Sequence, residues 1–169
     1  MQSSLFNLIK SDALFSNDRI YRYALWRIWN DNLPKVLFIG LNPSTADEIN
    51  NDPTIRRCIR YAIDWGYGGY IMGNIFSYRA TDPKIMKKAK DPVGPHNNYW
   101  LKKLSNEAEI TIAAWGNHGL YMNRGDEVIN LIPNLKCLKI TKKGFPAHPL
   151  YLPKSLKPFL YHSQTQNSK

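Results

Sequence analysis

A chain of 169 residues, 43% of them hydrophobic, is long enough to bury the core of one domain without disulfides. Its two cysteines, Cys58 and Cys137, lie far apart among apolar residues, which excludes an iron–sulfur cluster held by four cysteines and favours buried thiols over a disulfide or a metal site. No apolar run approaches the roughly 18 residues of a membrane span, and the first ten residues lack the apolar centre of a signal peptide, so the expectation is a cytoplasmic protein without a membrane partner.

The charge is the most informative bulk property. With 23 Lys+Arg against 13 Asp+Glu the chain carries +10 and a pI near 9.6. The excess falls mainly after residue 80, in the cluster Lys84, Lys87, Lys88, Lys90 and along Lys136, Lys139, Lys142, Lys143, Lys154 and Lys157. Such a surface attracts polyanions by neutralising phosphates and releasing counterions, which makes nucleic acid the expected partner, although lysine also serves solubility.

In chain order, residues 1–20 form a polar lead-in. Residues 19–29 alternate Tyr21, Tyr23, Leu25, Arg27, Trp29 with period two, as in an antiparallel strand, with a short helix over 24–29 as the competitor. Val36-Leu37-Phe38-Ile39 is a strand buried on both faces, ended by Gly40 and followed by Leu41-Asn42-Pro43-Ser44. Open α/β sheets bind ligands in the crevice beyond the carboxyl ends of their strands, so this loop is a candidate binding segment. Asp52-Pro53 reads as a helix start, and Ile55, Cys58, Ile59, Ala62 and Ile63 follow at helical spacing up to Gly66. Arg56, Arg57 and Arg60 on its other faces are either solvated or within reach of a phosphate.

Residues 70–76 give a second buried strand, in which Asn74 is the polar exception. A buried amide must find partners or cost about 1–3 kcal/mol, so Asn74 either satisfies backbone or reads a ligand. The loop 77–83 offers Tyr78 and Arg79. Residues 84–98 read as an exposed basic connection, 98–108 as a helix, 110–115 as a third strand ending in Trp115-Gly116-Asn117, 120–132 as a helix and 135–140 as a fourth, edge strand. The proline-braced segment 141–152 holds His148, residues 153–160 suggest a last helix, and 161–169 a disordered tail. The whole is an α/β domain over 21–160: a three-layer α/β/α sandwich whose central sheet is four-stranded and mostly parallel, with the polar loops converging on one edge.

Several of these segments together resemble the bacterial and phage family DUF1643, whose function is unknown: 40–47, Asn51-Asp52-Pro53-Thr54, Asn74-Ile75-Phe76 with 78–83, Trp115-Gly116, and Gly144-Phe145-Pro146 with 148–152. The resemblance covers about 21–160. More distantly, the order of motifs is similar to that of the uracil-DNA glycosylase superfamily. This implies a uracil-DNA glycosylase-like fold and a monomeric enzyme that hydrolyses the N-glycosidic bond of a base, normal or modified, in DNA. It needs no metal or organic cofactor.

The same resemblance implies the roles. Asn42 would position the hydrolytic water and His148 would donate to the departing base, as the catalytic pair. Asn74 would read the base edge within a pocket formed by Gly40, Leu41, Pro43, Ser44, Phe76, Tyr78, Arg79, Trp115 and Asn117. Leu150 or Tyr151 would fill the gap left by a flipped nucleotide, with Arg56, Lys142 and Lys143 on the DNA backbone. Asparagine at 42 departs from the carboxylate that would serve as a strong base, and assistance would fall to Asp47 or Asp52, the latter with a competing task as helix cap. His96 and His118 read as structural or solvent-exposed. Two alternatives stand beside this one: an enzyme of the same fold acting on free nucleosides or nucleotides, and a binding module without catalysis.

Overall fold

The computed structural model describes residues 10–162. Their order is β1 (Lys10–Phe15), β2 (Arg22–Ile28), β3 (Lys35–Gly40), α1 (Pro53–Asp64), β4 (Gly69–Asn74), α2 (Pro83–Lys88), α3 (Asn97–Glu107), β5 (Ile110–Ala113), a 3-10 segment (Asn117–Asn123), α4 (Arg124–Leu131), β6 (Lys136–Cys137) and β7 (Phe159–Leu160). β3 lies at the centre, parallel to β4 on one side and β5 on the other. Its residues alternate between two cores. Val36 and Phe38 pack with Ile55, Cys58 and Ala62 of α1, while Leu37 and Ile39 pack with Leu101 and Leu104 of α3 and Val128 of α4. Helices on both faces explain why β3 is apolar at consecutive positions rather than alternate ones.

The sheet is seven-stranded and mixed, in the order β1-β2-β4-β3-β5-β6-β7, which corrects the expected four-stranded, mostly parallel sheet. β1 pairs antiparallel with β2, β2 antiparallel with β4, and β7 antiparallel with β6. The added edges lack the sequence signature of central strands. β1 is partly exposed along its length, so its Lys-Ser-Asp-Ala-Leu-Phe sequence has no clean period, and both residues of β7 are exposed. Cross-strand pairing against an existing sheet, rather than intrinsic propensity, makes them strands.

Other boundaries shift for local reasons. Residues 84–98 are not wholly a connection, because Asp82 accepts from the Lys84 N–H at 2.9 Å and Pro83 opens the short α2. The expected helix over 120–132 divides: Met122 and Asn123 adopt φ 55° and 53°, so only 124–131 is α-helical. The expected strand over 135–140 shrinks to Lys136–Cys137, and β7 covers it, so it is no edge. No helix forms over 153–160, where Pro158 interrupts the segment before β7. Residues 1–9 of the lead-in and 163–169 of the tail lie outside the described residues. Tyr161 is buried against the core, its hydroxyl donating to the Gly144 carbonyl at 2.9 Å.

α1 forms where the spacing places it. The Asp52 carboxylate accepts from the Ile55 N–H at 2.8 Å, and Pro53 occupies the first turn, where no N–H is needed. Asp52→Ala is expected to cost about 1 kcal/mol in urea unfolding, and Asp52→Asn, which keeps the acceptor, a few tenths. That pair of variants separates the cap from any use of the charge.

Candidate active site

The loops that follow β3, β4, β5 and β6 open around one cleft of about 690 Å³ at the carboxyl edge of the parallel strands. Gly40, Leu41, Asn42, Ser44 and Thr45 supply one wall and Ala80, Thr81 and Pro83 a second. Ala114 to His118 and His148 to Leu150 complete the rim, while the first turn of α1 projects in from above the sheet. Short hydrogen bonds hold the loops together. Asn42 Nδ2 donates to the Ala80 carbonyl at 2.7 Å and to the Pro43 carbonyl at 3.2 Å, and the Ala80 N–H donates to Pro43 at 2.9 Å. The Asn42 amide nitrogen is thereby committed, leaving Oδ1 as the group that can accept from a ligand or a water.

Asn74 stands out within the lining. It is 1% exposed, and neither Nδ2 nor Oδ1 has a hydrogen-bond partner. Its backbone, in contrast, is locked: Asn97 Nδ2 donates to the carbonyls of Asn74 at 2.8 Å and Ile75 at 3.1 Å, and the buried Arg124 donates through Nε to Ile75 at 2.7 Å. Gly40 leaves the room the amide occupies. A Cβ at Gly40 would lie 2.6 Å from Met72 Cε and 3.0 Å from Asn74 Oδ1. Buried polar groups are normally satisfied, so an amide held rigidly with both ends unpartnered in a cleft lining is chemically able to pair with a group that offers one donor and one acceptor.

Trp115 borders the cleft at the end of β5, but its buried indole packs in the core under α3 and α4, with its Nε1–H unpartnered. Gly119 and Gly125 pack on the indole so closely that a Cβ at either would meet it at 2.3 Å and 3.0 Å respectively.

Two imidazoles meet the cleft at its rim. His148 Nδ1 accepts from the Leu150 N–H at 3.2 Å, so the neutral ring carries its proton on Nε2. His118 Nδ1 faces the Lys87 ammonium at 3.0 Å, which imposes the same tautomer. Both rings are exposed at their outer edges, yet the protein crowding their inner sides pushes each below the ordinary 6.5. For His148 the nearby Asp52 opposes this, and for His118 Lys87 adds to it. The native chain keeps both neutral where the unfolded chain already takes up protons. Stability from these two groups is therefore present above about pH 6.5 and lost as the pH falls below it. Urea unfolding compared between about pH 7.5 and 5.5 is expected to show that loss, and the double variant His118→Gln/His148→Gln to reduce it.

Asp52 is the one carboxylate in the lining among the described residues. Asp47 is absent from it. Its carboxylate accepts from the N–H groups of Asn50 and Ile49 and from the Asn50 side chain, which hold it at about 2. It is a loop brace, not a helper for Asn42.

Of the site residues named from sequence, Gly40, Leu41, Asn42, Ser44, Asn74, Trp115, Asn117, His148 and Leu150 share this cleft, and the others do not line it. Phe76 is buried in the opposite core, its ring 5.8 Å from that of Tyr121. Tyr78 packs edge-on to Tyr21, and Arg79 lies over the Phe15 ring and donates to the Arg19 carbonyl at 3.1 Å. Pro43 is buried beneath its loop, with its carbonyl serving Ala80 and Asn42. Arg56 is exposed and donates to the Asn51 carbonyl at 3.1 Å. Lys142 and Lys143 are exposed, and Tyr151 is 91% exposed, next to the rim residue Leu150.

Among the lining residues that sequence reasoning did not assign to the site, the imidazole of His118 and the guanidinium of Arg22 stand out. His118 enters because the 3-10 segment turns it toward Lys87. Arg22 enters because of a bulge: Leu14 pairs with Ala24 but Phe15 with Arg22, so Tyr23 is skipped in the register. Strict alternation would have put Arg22 on the face of Ala24, in the core under α3 and α4. The bulge re-aims it to the face of α1, where it lines the cleft and donates through Nη1 to the Ala46 carbonyl at 2.8 Å.

The model of one family matches residues 22–150, the family described as Protein of unknown function (DUF1643). The chain belongs to the DUF1643 family. The matched span begins at Arg22 and ends at Leu150, so it takes in every lining residue of the cleft. No match was found among curated proteins or solved structures.

Proposed function

We propose that this DUF1643 protein is a DNA glycosylase-like hydrolase that receives a base turned out of DNA and cleaves its N-glycosidic bond. The observation that carries the reading is the Asn74 amide, rigid, buried and open at both ends, which matches the paired donor and acceptor along the edge of a nucleobase.

Cleavage of the C1′–N bond sends the electron pair to the base and leaves an oxocarbenium-like sugar. The His148 Nε2–H and the Asn74 Nδ2 are donors on which negative charge developing on the base oxygens can fall. Donors of this kind are worth about 3 kcal/mol each in a site that excludes water. Asn42 Oδ1, its amide nitrogen tied to Ala80, would accept from the attacking water and aim it at C1′. A neutral amide takes up no proton. Asp52, whose charge already reaches His148, is the group in the lining that can receive one, while its capping oxygen remains on Ile55. The net charge of +10, the exposed Lys142 and Lys143 and the exposed Tyr151 beside Leu150 support a duplex or single strand lying across the rim.

The test is incubation of the purified protein with single- and double-stranded DNAs carrying normal, deaminated and hypermodified bases, followed by alkali cleavage and mass spectrometry of released base. An abasic site whose formation depends on His148 is expected. Intact DNA across the panel, together with turnover of free nucleosides or nucleotides, would transfer the activity to a smaller substrate.

A further inference from the structure

The cleft continues past Asn74. Along the strand order the lining runs from Asn117 and Trp115 after β5, through Gly40 at the end of β3 and Asn74 at the end of β4, to Arg22 at the start of β2. Arg22 thus closes the far end, on the side of Asn74 away from Trp115.

This guanidinium is in an unusual state. It is 1% exposed, its Nε has no partner, and among the described residues it forms no ion pair, its one side-chain hydrogen bond being that to the Ala46 carbonyl. Burial pushes it down to about 10, with Asp52 and Tyr70 opposing the shift. The contrast with Arg27 on the same strand is instructive. Arg27 is equally buried but spends Nε, Nη1 and Nη2 on Asn51 and on the carbonyls of Asp12, Trp26, Asp47 and Asn50, so it braces the 47–51 loop and presents nothing outward. Arg22 braces little. A buried cation is ordinarily paired, because leaving it without a counter-charge is costly. The first turn of α1 lies in the same lining, with Pro53, Thr54 and Ile55, and its dipole adds a positive potential of the same sign.

We propose that the far end of the cleft is an anion seat, and that the ligand read by Asn74 carries an anionic oxygen group, a carboxylate or phosphate, that pairs with Arg22. This rests on the nucleobase reading above and sharpens it. The group has two possible sources: an acidic substituent on the base itself, or the 5′-phosphate of a nucleotide.

The test is calorimetric titration of the wild-type chain, Arg22→Gln and Arg22→Lys with 2′-deoxyuridine, 5-carboxy-2′-deoxyuridine, 2′-deoxyuridine 5′-monophosphate and inorganic phosphate, with circular dichroism to check folding. One anionic nucleoside is expected to bind about tenfold or more tightly than 2′-deoxyuridine, in keeping with a charge-assisted hydrogen bond. The advantage of the anionic nucleoside over 2′-deoxyuridine should vanish in Arg22→Gln and return in part in Arg22→Lys. Preference for the 5-carboxy compound assigns the charge to the base, and preference for the monophosphate assigns it to the sugar. Equal binding of neutral and anionic nucleosides overturns the anion seat and leaves the nucleobase reading standing. Arg22-dependent binding of inorganic phosphate without nucleoside binding does the reverse. Absence of all binding overturns both, as does an anion preference that survives Arg22→Gln in the folded variant for the seat alone.

Discussion

Asn74→Ala is expected to lower base release about 100- to 1000-fold while leaving stability within about 1 kcal/mol of the parent. The two halves of that expectation come from one observation. In the free protein both amide atoms are buried without a partner, so the native state carries a desolvation cost of about 1–3 kcal/mol with no compensating bond. Truncation removes that cost and loses some packing in return, and the two effects oppose each other. Substrate binding is the event in which the amide would be satisfied, so its absence is felt there. Calorimetric unfolding and a single-turnover assay on the same preparation separate the cases. A loss of 3 kcal/mol or more with activity retained would make Asn74 a structural residue.

The second large effect is steric. Gly119→Ala would drive a Cβ to 2.3 Å from Trp115 Cδ1 and 2.6 Å from its Nε1. The indole is 2% exposed, held edge-on to Tyr161, and backed by Gly125, so it cannot swing aside cheaply. Overpacking of this kind costs about 3 kcal/mol, which for a chain of this size lowers Tm by about 6–12 °C. Since the segment from Trp115 to His118 lines the cleft, the variant is also expected to weaken ligand binding at temperatures where it remains folded. A thermal melt with Tm unchanged would mean that the packing around Trp115 is soft. Gly116→Ala is the useful contrast. It has φ 72° but open space around it, so its cost comes from backbone strain alone.

The parts of the site that could be read from sequence were those whose chemistry contradicts their surroundings. Asn74 interrupts an otherwise apolar strand, and small polar residues follow the buried runs of β3 and β5 at once, so their loops could be placed at one sheet edge without knowing a contact. What escaped reading depended on tertiary register. Arg22 obeys the alternation of β2 in sequence, and only the skipped Tyr23 turns it into the cleft. His118 belongs to a segment whose helical pattern breaks at Met122 and Asn123. β1 and β7 were illegible because edge strands need neither a continuous apolar run nor a strict period, and together with β2, which pairs antiparallel with β4, they make the sheet seven-stranded and mixed rather than four-stranded and mostly parallel. Phe76, Tyr78 and Arg79 were assigned to the site as part of the motif that carries the family resemblance. Phe76 instead completes the core under α3 and α4, while Arg79 stacks on Phe15 of the edge strand.

The most direct test of the central claim is to follow the side-chain amide of Asn74 itself. In a 15N-labelled sample its NH2 pair is assigned by its absence from the Asn74→Ala spectrum, and the protein is titrated with the five free nucleobases and their 2′-deoxynucleosides. The Asn74 pair is expected to shift and to become protected from exchange with at least one of them. Shifts confined to other residues, with the Asn74 amide unmoved, would contradict it.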